Sequence, residues 1–124
     1  MHGSKADLDK TVDVSELTVW EAEWGGIRVS FVTCHQELDI SPVLKGLPDD
    51  LCQCPHWGMI LKGRKLVKYR DREETLSAGE AYYMEPGHTT VTAAGTEWLE
   101  FSPSGEMEKT DEVVKRNLAK MNRA

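Results

Sequence analysis

The run Cys52-Gln-Cys54-Pro-His56-Trp-Gly58 is the densest cluster of soft metal donors in the chain. Cysteine, cysteine and histidine recur at every second residue, and on a β-strand such residues leave by one face. Gly58 and Ile60 continue that face, which reads as the interior of a barrel. Thiolate and imidazole suit zinc, iron, nickel or copper. On a straight strand Cys52 and His56 lie about 13 Å apart, whereas metal–ligand bonds span about 2.0–2.3 Å. Cys54 and His56 can therefore share an ion, and Cys52 joins them only where Pro55 or a bulge bends the chain. The spacing is not the Cys-x2-Cys of structural zinc. A further imidazole, His88, stands in Met84-Glu-Pro-Gly-His-Thr-Thr90, where a strand restarts after a turn. Such a place suits a ligand at a barrel mouth. A bland reading competes: Cys52 and Cys54 as small buried apolar groups and His56 as a hydrogen-bonded core residue. His2 and His35 have no supporting context.

Other chemistries find no footing. The chain carries no Gly-x-Ser-x-Gly elbow, no phosphate-cradling loop and no dinucleotide fingerprint. The carboxylates are scattered, so no acid–base pair stands out and the catalytic residues are unassigned. Cys54 with His56 as its base lacks a third, orienting group.

The elements that must position these residues are mostly strands. Residues 1–15 are polar and read as a loose leader, ending in a short edge strand near Val12 and Val14. Leu17 to Trp24 and Ile27 to Cys34 alternate and flank Gly25-Gly26, a hairpin signal. Residues 39–50, with two prolines and a glycine, form a connection with a helical turn at Ser41-Pro42. Short strands follow over 57–62, 65–70, 73–76, 81–84, 89–93 and 97–101, punctuated by turn residues, as in an antiparallel sandwich or barrel. Ser102-Pro103 reads as the start of a helix. Met107, Val114, Leu118 and Met121 form its apolar stripe, with Asp111 and Glu112 early and Lys115, Arg116, Lys120 and Arg123 late, suiting the helix dipole. That stripe is expected to pack on the chain's own barrel rather than form a dimer contact. The division expected is leader 1–15, barrel 16–103 and helix 104–124.

The 124 residues suit one domain with a proper core. A net charge of −6 without a basic patch argues against nucleic acid and anionic membranes as partners. No apolar run approaches the ~20 residues of a membrane-spanning helix, and the first residues lack a secretory signal. Three cysteines, an odd number, read as thiols or metal ligands in a reducing compartment. A cytoplasmic location is expected.

The stretch from Cys54-Pro-His-Trp-Gly-Met-Ile-Leu-Lys-Gly63 through Leu76-Ser-Ala-Gly-Glu80 to Tyr83-Met-Glu-Pro-Gly-His88 resembles a small single-domain cupin. The resemblance implies an all-β fold, a jelly-roll-like double-sheet antiparallel barrel, here with a C-terminal helix. It also implies a lumen metal and a homodimer. The family's first motif reads Gly-x5-His-x-His-x3 or 4-Glu-x6-Gly, and its second Gly-x5-Pro-x-Gly-x2-His-x3-Asn. Gly63, Gly79 and Gly87 fit their places. His56 stands where the family has its glutamate ligand, Cys52 at the second histidine and Asp50 at the first. Glu85 replaces proline, Thr90 the ligand histidine and Ala94 the asparagine. His88 shares strand parity with position 90. The expected function is therefore a metal-binding cupin with His56 and His88 as ligands and Cys52 or Cys54 as the third, favouring softer metals. As an enzyme it would hold a small polar substrate at an open metal position, acting as Lewis acid or oxygen activator. Tyr82, Tyr83, Met84 and Trp98 are candidates to shape that pocket. The alternatives are a metal-free cupin that binds or senses a small ligand, and a purely structural dimerisation module.

Overall fold

The computed structural model describes residues 1–121, and Arg123 with the last residues of the expected helix lies outside that range. Ten strands and one α-helix follow one another: β1 Asp9–Asp13, β2 Leu17–Trp24, β3 Ile27–Cys34, β4 Leu38–Asp39, β5 His56–Lys62, β6 Arg64–Tyr69, β7 Glu73–Ser77, β8 Ala81–Met84, β9 His88–Thr92, β10 Glu97–Pro103 and α1 Ser104–Met121. A six-stranded antiparallel sheet, in the order β1-β2-β3-β10-β5-β8, faces a four-stranded one, β4-β9-β6-β7. The β2–β3 hairpin turns at Gly25 and Gly26, with φ of +59° and +81°. Two successive positive φ values suit the twist of a two-residue hairpin and favour glycine at both places.

Between the sheets lie Val32, Cys34, Ile60, Val67, Leu76, Tyr82, Met84 and Trp98. β5 alternates as its sequence requires: His56 and Ile60 are buried, while Trp57, Met59 and Leu61 face out. A smaller cluster of Leu44, Cys52 and Cys54, with Met107 and Val114 of α1 against it, plugs one end of the barrel.

Three expectations need correction. The first fifteen residues are ordered rather than loose: Lys5–Asp7 form a 3-10 turn, and the expected edge strand near Val12 is longer, Asp9–Asp13, paired with β2. Ser102 and Pro103 belong to β10, paired opposite Arg28 and Ile27, so the helix starts at Ser104. The stripe on α1 is also rotated. Thr110 and Asn117 are its buried middle, beside Met107 and Val114, while Leu118 and Met121 are 44% and 53% exposed. Polar Asn117 earns an inward place because its side-chain amide donates to the carbonyls of Val43 and Lys45 at 2.7 and 2.8 Å. These bonds satisfy backbone of the 41–45 connection that has no ladder partner. Arg28 of β3 donates to Asp111 at 2.6 Å and fixes the helix on its own barrel.

Candidate metal centre

His56 opens β5 with its ring directed into the barrel and is 5% exposed. His88 opens β9 in the opposite sheet and is 1% exposed. Their rings approach edge to face, with centroids 5.2 Å apart. The residues before β5 do not continue the strand, contrary to the period-two expectation. Cys52 instead forms an isolated bridge with His88, its N–H donating to the His88 carbonyl at 2.8 Å, and Gly87 N–H donating back to the Cys52 carbonyl at 2.7 Å. The chain leaves the strand geometry over 53–55. This brings Cys52 Sγ to 3.7 Å from His56 Nε2, far inside the separation a straight strand would impose.

One ligand atom from each of Cys52, His56 and His88 lies within 4.8 Å of the others, and all three residues are buried. In a tetrahedral site with bonds of about 2.0–2.3 Å, ligand atoms sit about 3.3–3.6 Å apart. The cluster therefore needs an inward shift of about 1 Å at its widest edge to hold an ion. Cys54 is buried next to the cluster but is not one of the three, its Sγ lying 3.4 Å from the Pro55 carbonyl. The bend that admits Cys52 turns Cys54 away.

The hydrogen bonds around the imidazoles set which nitrogen is free. His88 Nδ1 lies 2.6 Å from the Glu85 carbonyl, which can only accept, so Nδ1 carries the proton and Nε2 presents a lone pair. His56 Nδ1 lies 2.7 Å from Ser102 Oγ and 3.6 Å from Glu100 Oε2. The carboxylate favours a proton on that nitrogen and leaves Nε2, the atom beside Cys52, as the acceptor. Metal-ligating histidines use such outer partners to fix tautomer and orientation.

Burial dominates the electrostatics. It lowers the His88 pKa to about 4, the neighbouring His56 adding to the effect, so the ring is neutral and able to bind at physiological pH. Burial raises the Cys52 thiol, and it pushes Cys54 up to about 12 with help from Cys52. Both cysteines are thus thiols until a cation displaces a proton. Burial also opposes ionisation of Glu100, but His56, Lys65 and the Tyr82 hydroxyl outweigh it and hold the carboxyl below its ordinary range. Tyr82 Oη donates to Glu100 at 2.8 Å.

The three donors share a cavity of about 260 Å³ with Lys65, Trp98 and Glu100. Thr90, at the place of the resembling family's ligand histidine, lines the same cavity. A larger hollow of about 390 Å³ around Glu37 and Arg64 holds none of the donors. Of the expected pocket residues, Tyr82, Met84 and Trp98 are buried, whereas Tyr83 stacks on Trp57 on the outer face. Glu100, Ser102 and Lys65 went unnoticed in the sequence. Strand parity from Trp98 would have found Glu100 and Ser102, and parity with Val67 would have placed Lys65 inside.

No family model matches the sequence, and no curated protein does either. Solved structures supply the likeness. A polyketide cyclase, RemF, from Streptomyces resistomycificus superposes with a TM-score of 0.60 at 14% identity, over 84% of this chain and 79% of that one. An RmlC-like cupin from Shewanella frigidimarina gives 0.57 at 11%, over 82% and 88%. A cupin superfamily protein from Desulfitobacterium hafniense gives 0.56 at 11%, over 74% and 83%. Identities this low speak to the fold. The chain folds as a small cupin-type domain, a double-sheet antiparallel barrel with a helix packed across one end.

Proposed function

We propose that this domain binds one transition-metal ion in the barrel lumen through Cys52 Sγ, His56 Nε2 and His88 Nε2, and presents it to a small molecule. The observation that carries this reading is the meeting of three buried donors from two sheets and a loop, with the His88 lone pair fixed by its bond to Glu85. Two imidazoles and one thiolate favour zinc, iron, nickel or copper over magnesium or calcium. Three protein ligands leave a fourth position, at which a bound ion would act as Lewis acid or activate oxygen. Ser102, Glu100 and the Glu85 carbonyl orient His56 and His88.

Elemental analysis of untagged protein tests the reading. One equivalent of a transition metal, lost in His56→Ala and His88→Ala, is the expected result. Protein that is metal-free and resists reconstitution overturns it and leaves the lumen as a pocket for a small ligand alone.

A homodimer and a cytoplasmic location belong to the same proposal. Trp57, Met59, Leu61, Tyr83 and Phe101 stand exposed on adjacent strands β8, β5 and β10, next to the free edge of β8. An apolar strip continuous with an unpaired edge suits a second copy of the same surface about a two-fold axis. All three cysteines are unpaired thiols, as a reducing compartment would keep them.

A further inference from the structure

The proposed metal ligands occupy one side of the lumen, and a second side carries an ammonium with nothing to pair with. Lys65 is on β6, is 4% exposed, and its Nζ lies 3.3 Å from the centroid of the Trp98 ring. Among the described residues Nζ makes neither a hydrogen bond nor an ion pair. Glu100, the carboxylate that draws on it through space, is engaged by Tyr82 Oη and stands beside His56 instead. The indole Nε1 of Trp98 is buried and meets no acceptor among the described residues. Buried cations and buried donors without partners are costly, and in folded proteins they are mostly paired. Lys65 and Trp98 both line the cavity of about 260 Å³ that holds Cys52, His56 and His88, so the ammonium meets the cavity rather than a protein partner.

Charge balance points the same way. A divalent ion on one thiolate, with Glu100 ionised and Lys65 protonated, leaves a single positive charge without compensation inside the barrel. A monoanion cancels it. Size narrows the choice to a small ligand, the cavity being about 260 Å³.

We infer that Lys65 is a recognition residue for the carboxylate of a short organic acid, whose other end carries an oxygen that reaches the open metal position. The class is that of small 2-oxo or 2-hydroxy acids. The contact to the ion rests on the metal reading above, whereas the contact to Lys65 does not. Trp98 holds the ammonium against its ring face.

Calorimetric titration of zinc-loaded protein with pyruvate, and with pyruvamide as its uncharged counterpart, tests the assignment. One charge-assisted hydrogen bond gives wild-type protein a preference for pyruvate of at least about tenfold. Lys65→Met is expected to lose at least about tenfold of its pyruvate affinity, to bind pyruvamide as before and still to hold one zinc. A preference for pyruvate that this substitution leaves undiminished, or that is missing in zinc-loaded wild type, overturns the assignment. Protein that takes up no zinc removes the metal reading, and the same titration without metal then judges Lys65 alone. A preference lost in Lys65→Met upholds an anion subsite, and equal behaviour of the two proteins overturns it. Retained pyruvamide binding and a near-ultraviolet aromatic signal that matches wild type certify an intact lumen. Lys65→Gln replaces the methionine variant where they do not.

Discussion

Replacing Lys65 by methionine is expected to stabilise the metal-free protein at neutral pH, the reverse of what most core substitutions do. Burial is the main influence on this ammonium and brings its pKa from 10.5 down to about 8, while Glu100 and Cys34 pull the other way. The folded protein therefore prefers the neutral amine and the unfolded chain the charged one. Between pH 8 and 10.5 the unfolded state binds more protons, so stability rises with pH across that window. Below it the whole penalty is present, about 3 kcal/mol at 1.36 kcal/mol per pH unit. Methionine removes that penalty and fills a similar volume. It also forfeits the cation–π contact with Trp98, worth about 1–2 kcal/mol in a desolvated site. A net gain of about 1–2 kcal/mol at pH 7 remains. The slope discriminates better than the offset. From pH 8 to 9.5 wild type should recover about 2 kcal/mol against the variant, so that the two curves converge or cross. Urea unfolding of both proteins across this range, followed by tryptophan fluorescence, measures the difference directly. A variant less stable at pH 7, or a gap that does not change with pH, would refute the account of Lys65 as a buried, unpaired cation.

Zinc binding to the free protein should release about one proton above pH 7.5, because burial keeps Cys52 a thiol while His88 is already neutral. Calorimetry in buffers of different ionisation heat should count that proton in wild type and in Cys54→Ala, and none in Cys52→Ala. A Cβ at Gly58 would overlap the Leu99 carbonyl oxygen and lie 2.6 Å from Tyr82 Oη. Gly58→Ala should accordingly lose about 2–3 kcal/mol and melt roughly 10 °C lower, as read by calorimetric scanning. Asn117→Leu would strip the Val43 and Lys45 carbonyls of their donors. A loss of about 2 kcal/mol, with faster hydrogen exchange in 41–47 and α1, is the expected outcome. Trp57→Asp should convert a homodimer to a monomer in analytical ultracentrifugation, and an unchanged mass would remove β5 from the interface.

The strands were legible in the residues because their signals are local. Alternation in Leu17–Cys34, the Gly25-Gly26 turn and the spacing of Gly63, Gly79 and Gly87 each involve neighbours in the chain, and period two assigns inside and outside without knowledge of the partner sheet. His56 stood out in the run Cys52-Gln-Cys54-Pro-His56, and His88 as the residue at which a strand restarts after a turn. The solved cupins share the resulting barrel. The helix was legible in its existence but not in its orientation, since Asn117 faces inward only because unpaired carbonyls of the 41–45 connection wait there.

The choice between the two cysteines could not come from the residues. Cys52 and Cys54 are equivalent in type and parity, and only the bridge to His88 turns one toward the imidazoles and the other away. Lys65 is the same kind of case. By composition it is one more surface lysine, and it becomes a lone cation only once Val67 and Trp98 bury it between two sheets. Which strands form and which way their side chains face is written in short-range pattern. Which of those side chains meet, and which charges are left without partners, is decided where sheets distant in sequence close on one another. There water is excluded, and each buried donor must find an acceptor in the fold or in a ligand.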